Sequence, residues 1–425
     1  MRNLSLATLF SAAAGFILMW VAGWALNPET ELRYFIAFWG LFFAGTGLID
    51  GITHETTRAV AASRETGARG TANPWRFAAR AAALAVLVGV GLGVWAMRAL
   101  VPMSPGMATS LLVFGLVSYI FQAVLAGILS GANLWDEYAG LVALDAGVRL
   151  ALAVVAWALG WGLGAFLVIT VIGAASWLVI LGASPTARGN IRVALDVDKE
   201  AFMGRVASAM VASGASAALI TGFPTAISAA VPDTDTAASV LVGAISNAII
   251  LTRAPVLVPL QRFQSALVVR FVQQRGSIYR ALAAPVGAVL GLGAVGFAAA
   301  WLVGPWILRA AFRSELYVDG LTLGLFTFAS AFMGTLMVTG VAVLALERHG
   351  WYVAGWIAAS AVAFTILFVG PWGVVANVAV ALFTGPAAGA LVHVAGLRRA
   401  SRGSGPGAEP GAEPAEAEPG AEPRK

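Results

Sequence analysis

Residues 39–70 read WGLFFAGTGLIDGITHETTRAVAASRETGARG, an apolar run that turns into a charged stripe with Asp50, His54 and Arg58 four residues apart. On a helix these three side chains share one face. Residues 242–276, VGAISNAIILTRAPVLVPLQRFQSALVVRFVQQRG, repeat the order. Each stretch begins as an apolar span with a glycine (Gly40, Gly243), runs into a basic helix, and ends at an Arg/Gly turn before another Ala/Val/Gly-rich span. Later, ILSGANLWDEYAGLVALDA (128–146) parallels VLALERHGWYVAGWIAASA (343–361). The repetition predicts two halves with equal numbers of spans. An even number per half gives both the same orientation, related by a pseudo-twofold axis along the membrane normal.

The rest of the chain is of the same kind. Of 425 residues, 59% are hydrophobic and 11% charged, against roughly 25% charged in soluble proteins. Mean hydropathy is +0.85. Such a chain is a polytopic membrane protein of the all-α class, because a membrane barrel would show alternating segments of about ten residues instead. The absence of cysteine excludes disulfides and thiolate metal sites. The apolar stretch from Leu4 to Leu26 exceeds the roughly 7–15 residues of a signal peptide's core and reads as a first span.

Twelve spans are predicted, near 4–26, 34–53, 78–98, 107–130, 139–158, 162–183, 206–230, 238–258, 280–304, 319–345, 351–370 and 374–396. With the amino terminus inside, 21 basic residues fall on the cytoplasmic side and 4 outside (Arg33, Arg98, Arg309 and Arg313), with Arg149 left inside span five. That bias predicts a multi-pass protein of the cell's inner (plasma) membrane with both termini cytoplasmic. The net charge of +5 therefore does not argue for nucleic acid. The expected organisation is a six-helix lobe over 1–183, a cytoplasmic linker over 184–205, a second six-helix lobe over 206–396, and a disordered tail over 397–425. The tail repeats GAEP and has too little apolar surface to fold.

Four features resemble the multidrug/oligosaccharidyl-lipid/polysaccharide exporter superfamily. They are the opening Arg2-Asn-Leu-Ser-Leu, the basic helix after span two, TRAPVLVPLQ at 252–261, and YAGLVALDAGVRL at 138–150. The look is closest to its polysaccharide (O-antigen-type) flippases and covers roughly residues 1–396. The resemblance implies two six-helix lobes around a central cavity, alternating access, and transfer of a lipid-linked saccharide to the outer face. Membrane lipid and that saccharide would be its partners, with a polysaccharide polymerase or glycosyltransferases as candidates beside them. Twelve spans rather than fourteen set the chain apart from the lipid II flippase branch.

Charge inside a membrane costs about 2.5–3.5 kcal/mol on insertion scales, so each case needs a partner or a purpose. Asp145 and Arg149, four apart in span five, can pair on one helical face. Either they neutralise one another and join two spans, or Arg149 offers its planar donors to a diphosphate or sugar acid. Arg253 precedes Ala254–Pro255, where a kink is expected. Aligning Gly40 with Gly243 sets Asp50 opposite Arg253, which predicts a cytoplasmic gate formed by the two. His54–Glu55–Arg58 belongs to HETTR, which lacks the second histidine of HExxH, so zinc hydrolysis is rejected. The cluster reads as a proton relay, with Arg58 a further substrate contact, or as a solvated helix end. Asp233 and Asp235 could hold a cation or lie solvated in their loop.

The outer loops are minimal, no ATP-binding motif is present, and no cofactor is expected. GVGLG (89–93) and GLGAVG (291–296) are helix-packing surfaces, not nucleotide loops. A transporter is thus expected rather than a membrane enzyme. Arg149 and Arg253 predict a cavity that leans cationic, suited to an anionic lipid-diphosphate. An ion-coupled drug antiporter, needing a deep carboxylate such as Asp145, is the alternative. A non-transporting scaffold with basic helices at 188–205 and 259–280 is the third.

Overall fold

The computed structural model describes residues 2–346 and 348–403. The tail expected to be disordered lies, from residue 404 on, outside the described residues. The helices are α1 (Arg2–Ala25), α2 (Leu32–Thr66), α3 (Pro74–Leu100), α4 (Pro105–Gly131), α5 (Trp135–Ala158), α6 (Leu163–Ile172), α7 (Ser176–Ala183), the short α8 (Pro185–Gly189), α9 (Lys199–Ile220), α10 (Phe223–Ala230), α11 (Thr236–Gln273), α12 (Ile278–Ala311), α13 (Gly320–Ala345), α14 (His349–Val369) and α15 (Val374–Gly403). Among the described residues 11 helices are long and apolar enough to cross a membrane. The number becomes 12 if the two parts of α3, bent by 56°, count as one span. The protein is a multi-pass, all-helical membrane protein.

Two predicted spans are broken. The sixth is interrupted by a 3-10 turn, Gly173–Ala175, between α6 and α7. The seventh stops at Ile220 and resumes as α10, with Pro224 in its first turn, where a missing N–H costs nothing. Conversely, α11 continues through Pro255 to Gln273, because an interrupted ladder is tolerated where neighbouring helices support it.

The pairing of helices carries the repeat. In the first half α2 and α6 pack on α4, α1 on α5, and α5 on α6; in the second, α11 and α15 pack on α13, α9 on α14, and α14 on α15. The glycine runs form equivalent contacts, Gly89 and Gly93 of α3 against Val113 and Thr109 of α4, Gly293 and Gly296 of α12 against Ala331 and Thr327 of α13. Between the halves the main contact is α2 crossing α9. There Gly47 faces Ala217, and a Cβ on Gly51 would collide with the backbone of Ala209 and Met210, so only glycine allows the approach.

Within the segment expected to join the halves, 184–205, α8 forms at Pro185–Gly189 and α9 begins at Lys199. The segment is tied to the loop after α2: Gly70 N–H donates to the Leu195 carbonyl (2.7 Å), and Ala72 N–H to that of Val197 (3.2 Å). Thr71 donates to Asp198 from both its N–H and its hydroxyl.

Candidate functional site: a polar cavity between the two halves

A cavity of about 1830 Å³ lies between α1, α2, α4 and α5 on one side and α9, α13 and α14 on the other. Its lining runs from Phe43 and Thr221 to Ala201, Arg205 and His349 at the first turns of α9 and α14. Those turns are at the end that carries most of the chain's basic residues. Of the seven site residues read from the sequence, Asp50, His54, Glu55, Asp145 and Arg149 line the cavity; Arg58 and Arg253 do not.

The wall contributed by the first half carries the charge. Arg149 is almost fully buried, with its Nη1 2.6 Å from Asp145 Oδ2, and its Nε donates to the Thr170 carbonyl (2.9 Å). Its guanidinium stands over the rings of Phe42 and Phe43, 5.8 and 5.2 Å from their centroids. The 3-10 turn supplies the space: a Cβ on Gly173 would stand 2.6 Å from both Arg149 Cζ and Asp145 Oδ1. Gln122, with its amide nitrogen facing the turn, donates to the Gly173 and Ala174 carbonyls (3.3 and 3.1 Å). Asp50 accepts from the Tyr119 hydroxyl at 2.8 Å, while Asp145 Oδ1 is buried with no hydrogen-bond partner. Tyr119 and the turn were missed by sequence reasoning. The available signal was the polar set Ser118, Tyr119 and Gln122 in the middle of span four, whose other hydroxyls, Thr109, Ser110 and Ser130, lie at its ends.

The opposite wall is uncharged along most of its length, with Ser208, Ala212, Ser213, Ser216 and Tyr352 facing the cavity. Ser213 Oγ lies 3.4 Å from His54 Nδ1. At the mouth, Glu55 is bound by Arg58 (2.6 Å) and lies 4.0 Å from Arg205.

Several expectations are corrected. Asp50 and Arg253 form no ion pair. Arg253 instead donates to the Leu219 and Ile220 carbonyls (3.3 and 2.6 Å), the last of α9, with Phe223 beneath it. A helix that breaks inside the membrane leaves carbonyls bare, and a cation at that negative end satisfies them. Arg58 is held by Glu55 and Asp196 outside the cavity. The lining is therefore not cationic. Its arginines are Arg149, already paired, and Arg205, beside His54 and His349 and against the acidic Asp50, Glu55 and Asp145.

At the opposite end the cavity is sealed by contacts between the halves. Arg33, 3% exposed, reaches from α2 to Asp233 (3.3 Å) and to the Ser228 and Val231 carbonyls. Tyr34 donates its hydroxyl to the same carboxylate, and Ser239 adds a third bond at 2.8 Å. Trp20 and Trp24 of α1 both donate to the Ala311 carbonyl of α12 (2.8 and 2.7 Å). Asp235, by contrast, accepts from Ala238 N–H and starts α11. Partial burial works against the charge of Asp233, but the Tyr34 and Ser239 hydroxyls and Arg33 together hold its carboxyl below the usual carboxylate range. A depressed carboxyl contributes stability that is present above its ordinary pKa and lost as pH falls through the folded value. Thermal unfolding in detergent should accordingly show a loss below about pH 4 that Asp233→Asn no longer shows. An unchanged acid limb in that variant would remove this assignment.

No family model matches the chain. It is 36% identical over 395 residues to uncharacterized protein Rv1510 of Mycobacterium tuberculosis, covering 92% of this chain and 90% of that protein. To uncharacterized protein Mb3654 of Mycobacterium bovis it is 34% identical over 403 residues, again covering 92% and 90%. Among solved structures, an inward-facing multidrug resistance MATE family transporter of the MOP superfamily superposes with a TM-score of 0.62 at 16% identity, covering 94% of this chain and 96% of that one. The lipid II flippase MurJ in an inward closed conformation gives 0.62 at 13%, covering 95% and 90%. The chain thus belongs to one family with Rv1510 and Mb3654, and it has the fold of the multidrug/oligosaccharidyl-lipid/polysaccharide exporter superfamily.

Proposed function

We propose that the protein is an alternating-access membrane transporter, not an enzyme, that moves the headgroup of a lipid-linked saccharide from the cytoplasmic to the outer leaflet. The observation that carries this reading is the cavity itself, open toward the end marked cytoplasmic by the basic residues and sealed at the other by Arg33 and Asp233. About 1830 Å³ exceeds the roughly 300–1,000 Å³ of ordinary small-molecule sites and suits a glycan headgroup. The serine-bearing wall offers hydroxyls to hydroxyls, and Arg149 is the deep cation of the lining that a phosphate linkage would recruit by competing with Asp145, while Arg253 stays outside the cavity at the broken end of α9. Asp50, Asp145, His54 and Glu55 serve as gate and ion-coupling groups. Arg58 acts at the cytoplasmic approach.

One observation favours a second reading. The free carboxylate oxygens, on Asp50 and Asp145, would suit an antiporter that exchanges a cationic small molecule for an ion. Reconstitution into liposomes with fluorescent polyprenyl-phosphate and polyprenyl-diphosphate sugars separates the two. Protein-dependent movement of label to the far leaflet, lost in Asp50→Asn, supports the flippase. No movement with any of these probes, together with uptake of a cationic dye, would overturn it in favour of the antiporter.

A further inference from the structure

His393 lies on α15, fully buried between α13 and α14, in a notch that only glycines leave open. A Cβ on Gly340 would stand 3.2 Å from its Cε1, and a Cβ on Gly355 would overlap its Nε2. Nε2 is 3.1 Å from the Tyr352 carbonyl, and Nδ1 is 3.0 Å from the Thr339 hydroxyl. The ring stacks on Tyr352, with centroids 6.0 Å apart and 5° between planes, and Tyr352 lines the cavity. The imidazole is thus one side chain away from the transport site.

The arrangement of donors and acceptors accommodates two protonation states. A carbonyl only accepts, so Nε2 carries its hydrogen in either state. The Thr339 hydroxyl has two choices. It can donate to Nδ1 of a neutral ring, or it can turn its hydrogen to the Thr335 or Leu336 carbonyl, each 3.0 Å away, and accept from Nδ1–H of a charged ring. A proton can be added at Nδ1 or removed with no heavy atom moving and no buried group left unsatisfied.

We propose that His393 is a proton-binding site of the second half, loaded from the cavity past Tyr352, and that the proton is an ion coupled to transport. The coupling rests on the transporter reading above; the proton binding does not. The titratable groups on the helices packed against it are few. Among the described residues α13 offers none, α14 offers Tyr352 and His349, and α15 itself Arg398, Arg399 and Arg402. No carboxylate on these helices competes for the charge.

The chain has only three histidines, His54, His349 and His393, so their imidazole nitrogens can be assigned by substitution. The test is nitrogen-15 magnetic resonance of the full chain in lipid nanodiscs across about pH 5–8, the range in which imidazoles ordinarily titrate. The expected result is a His393 signal that passes from the neutral form with hydrogen on Nε2 to the doubly protonated form as pH falls. A His393 that stays neutral throughout while the protein remains folded overturns the proposal. Thr339→Val keeps the ring and removes the oxygen that accepts from Nδ1, and is expected to lower the midpoint by about one unit or more, a tenfold weaker proton affinity. An unchanged midpoint would show that the hydroxyl is not the switch and would overturn the mechanism. In liposomes, His393→Gln should retain binding of the saccharide probe and lose the dependence of its movement on a pH gradient; if that dependence is unchanged, the coupling role is overturned. Should no saccharide probe move at all while His393 titrates as described, the cargo assignment fails and the proton site stands.

Discussion

Arg149→Ala is expected to lower stability by an amount toward the lower end of about 3–5 kcal/mol, the usual result of stripping one partner from a buried ion pair. Transport should fall at least about 100-fold. Asp145 would keep its charge beside Gly173 with only the cavity to solvate it, and the Thr170 carbonyl would lose its donor. Arg149→Lys should recover part of the stability, because an ammonium restores the charge but not the fork that reaches Asp145 and Thr170 together. The double change Asp145→Asn with Arg149→Gln removes both charges and should fold nearly as well as the parent yet remain inactive. Unfolding temperatures of the four proteins in one detergent provide the check. If Arg149→Ala unfolds with the parent, the pair is not holding α5 against the turn.

The second large effect concerns the seal at the outer end. The protein has no cysteine, so Ser213→Cys places a single thiol in the cavity. In the parent background a membrane-impermeant thiol reagent should reach it from the cytoplasmic side alone. Adding Asp233→Ala removes the acceptor shared by Arg33, Tyr34 and Ser239, and labelling from outside should rise about tenfold, equivalent to about 1.4 kcal/mol in the balance between the two open forms. Equal labelling with and without Asp233 would mean that the aromatic contacts from Trp20 and Trp24 close that end by themselves.

Much of the architecture was legible because hydropathy and glycine spacing act locally. Spans such as 319–345 and 374–396 were placed close to α13 and the start of α15, and the runs at 89–93 and 291–296 pack where packing surfaces were expected. The pairing of Asp50 with Arg253 failed for a physical reason. Two halves can share an order of spans while one of them breaks a helix, and the break at Ile220 offers Arg253 bare carbonyls nearer than any carboxylate. The signal for that break, Gly222-Phe223-Pro224, was in the sequence but outside the alignment that suggested the gate. Arg33 was similarly misjudged by its neighbours: surrounded in sequence by a short polar loop, it counts as an orientation signal, and only the folded chain brings Asp233 to it. Asp145 and Arg149 were found because their spacing is contained within one helix. Tyr119, whose partner is 69 residues away, was not.

In an alternating-access transporter the crossing of α2 over α9 would govern how the two halves move. Side-chain interfaces resist rolling because interdigitated rotamers must disengage and find new slots. At Gly51 α2 meets the backbone of α9 and at Gly47 only the methyl of Ala217, so at this point there is little to disengage. Such a contact behaves as a fulcrum: it fixes the distance between the halves while leaving their relative tilt cheap to change. Displacement then grows with distance from the crossing, as it does along a lever. The largest excursions would then fall at the two ends where Arg33 meets Asp233 and where Arg205 faces Glu55, and the smallest at the centre, where cargo would sit.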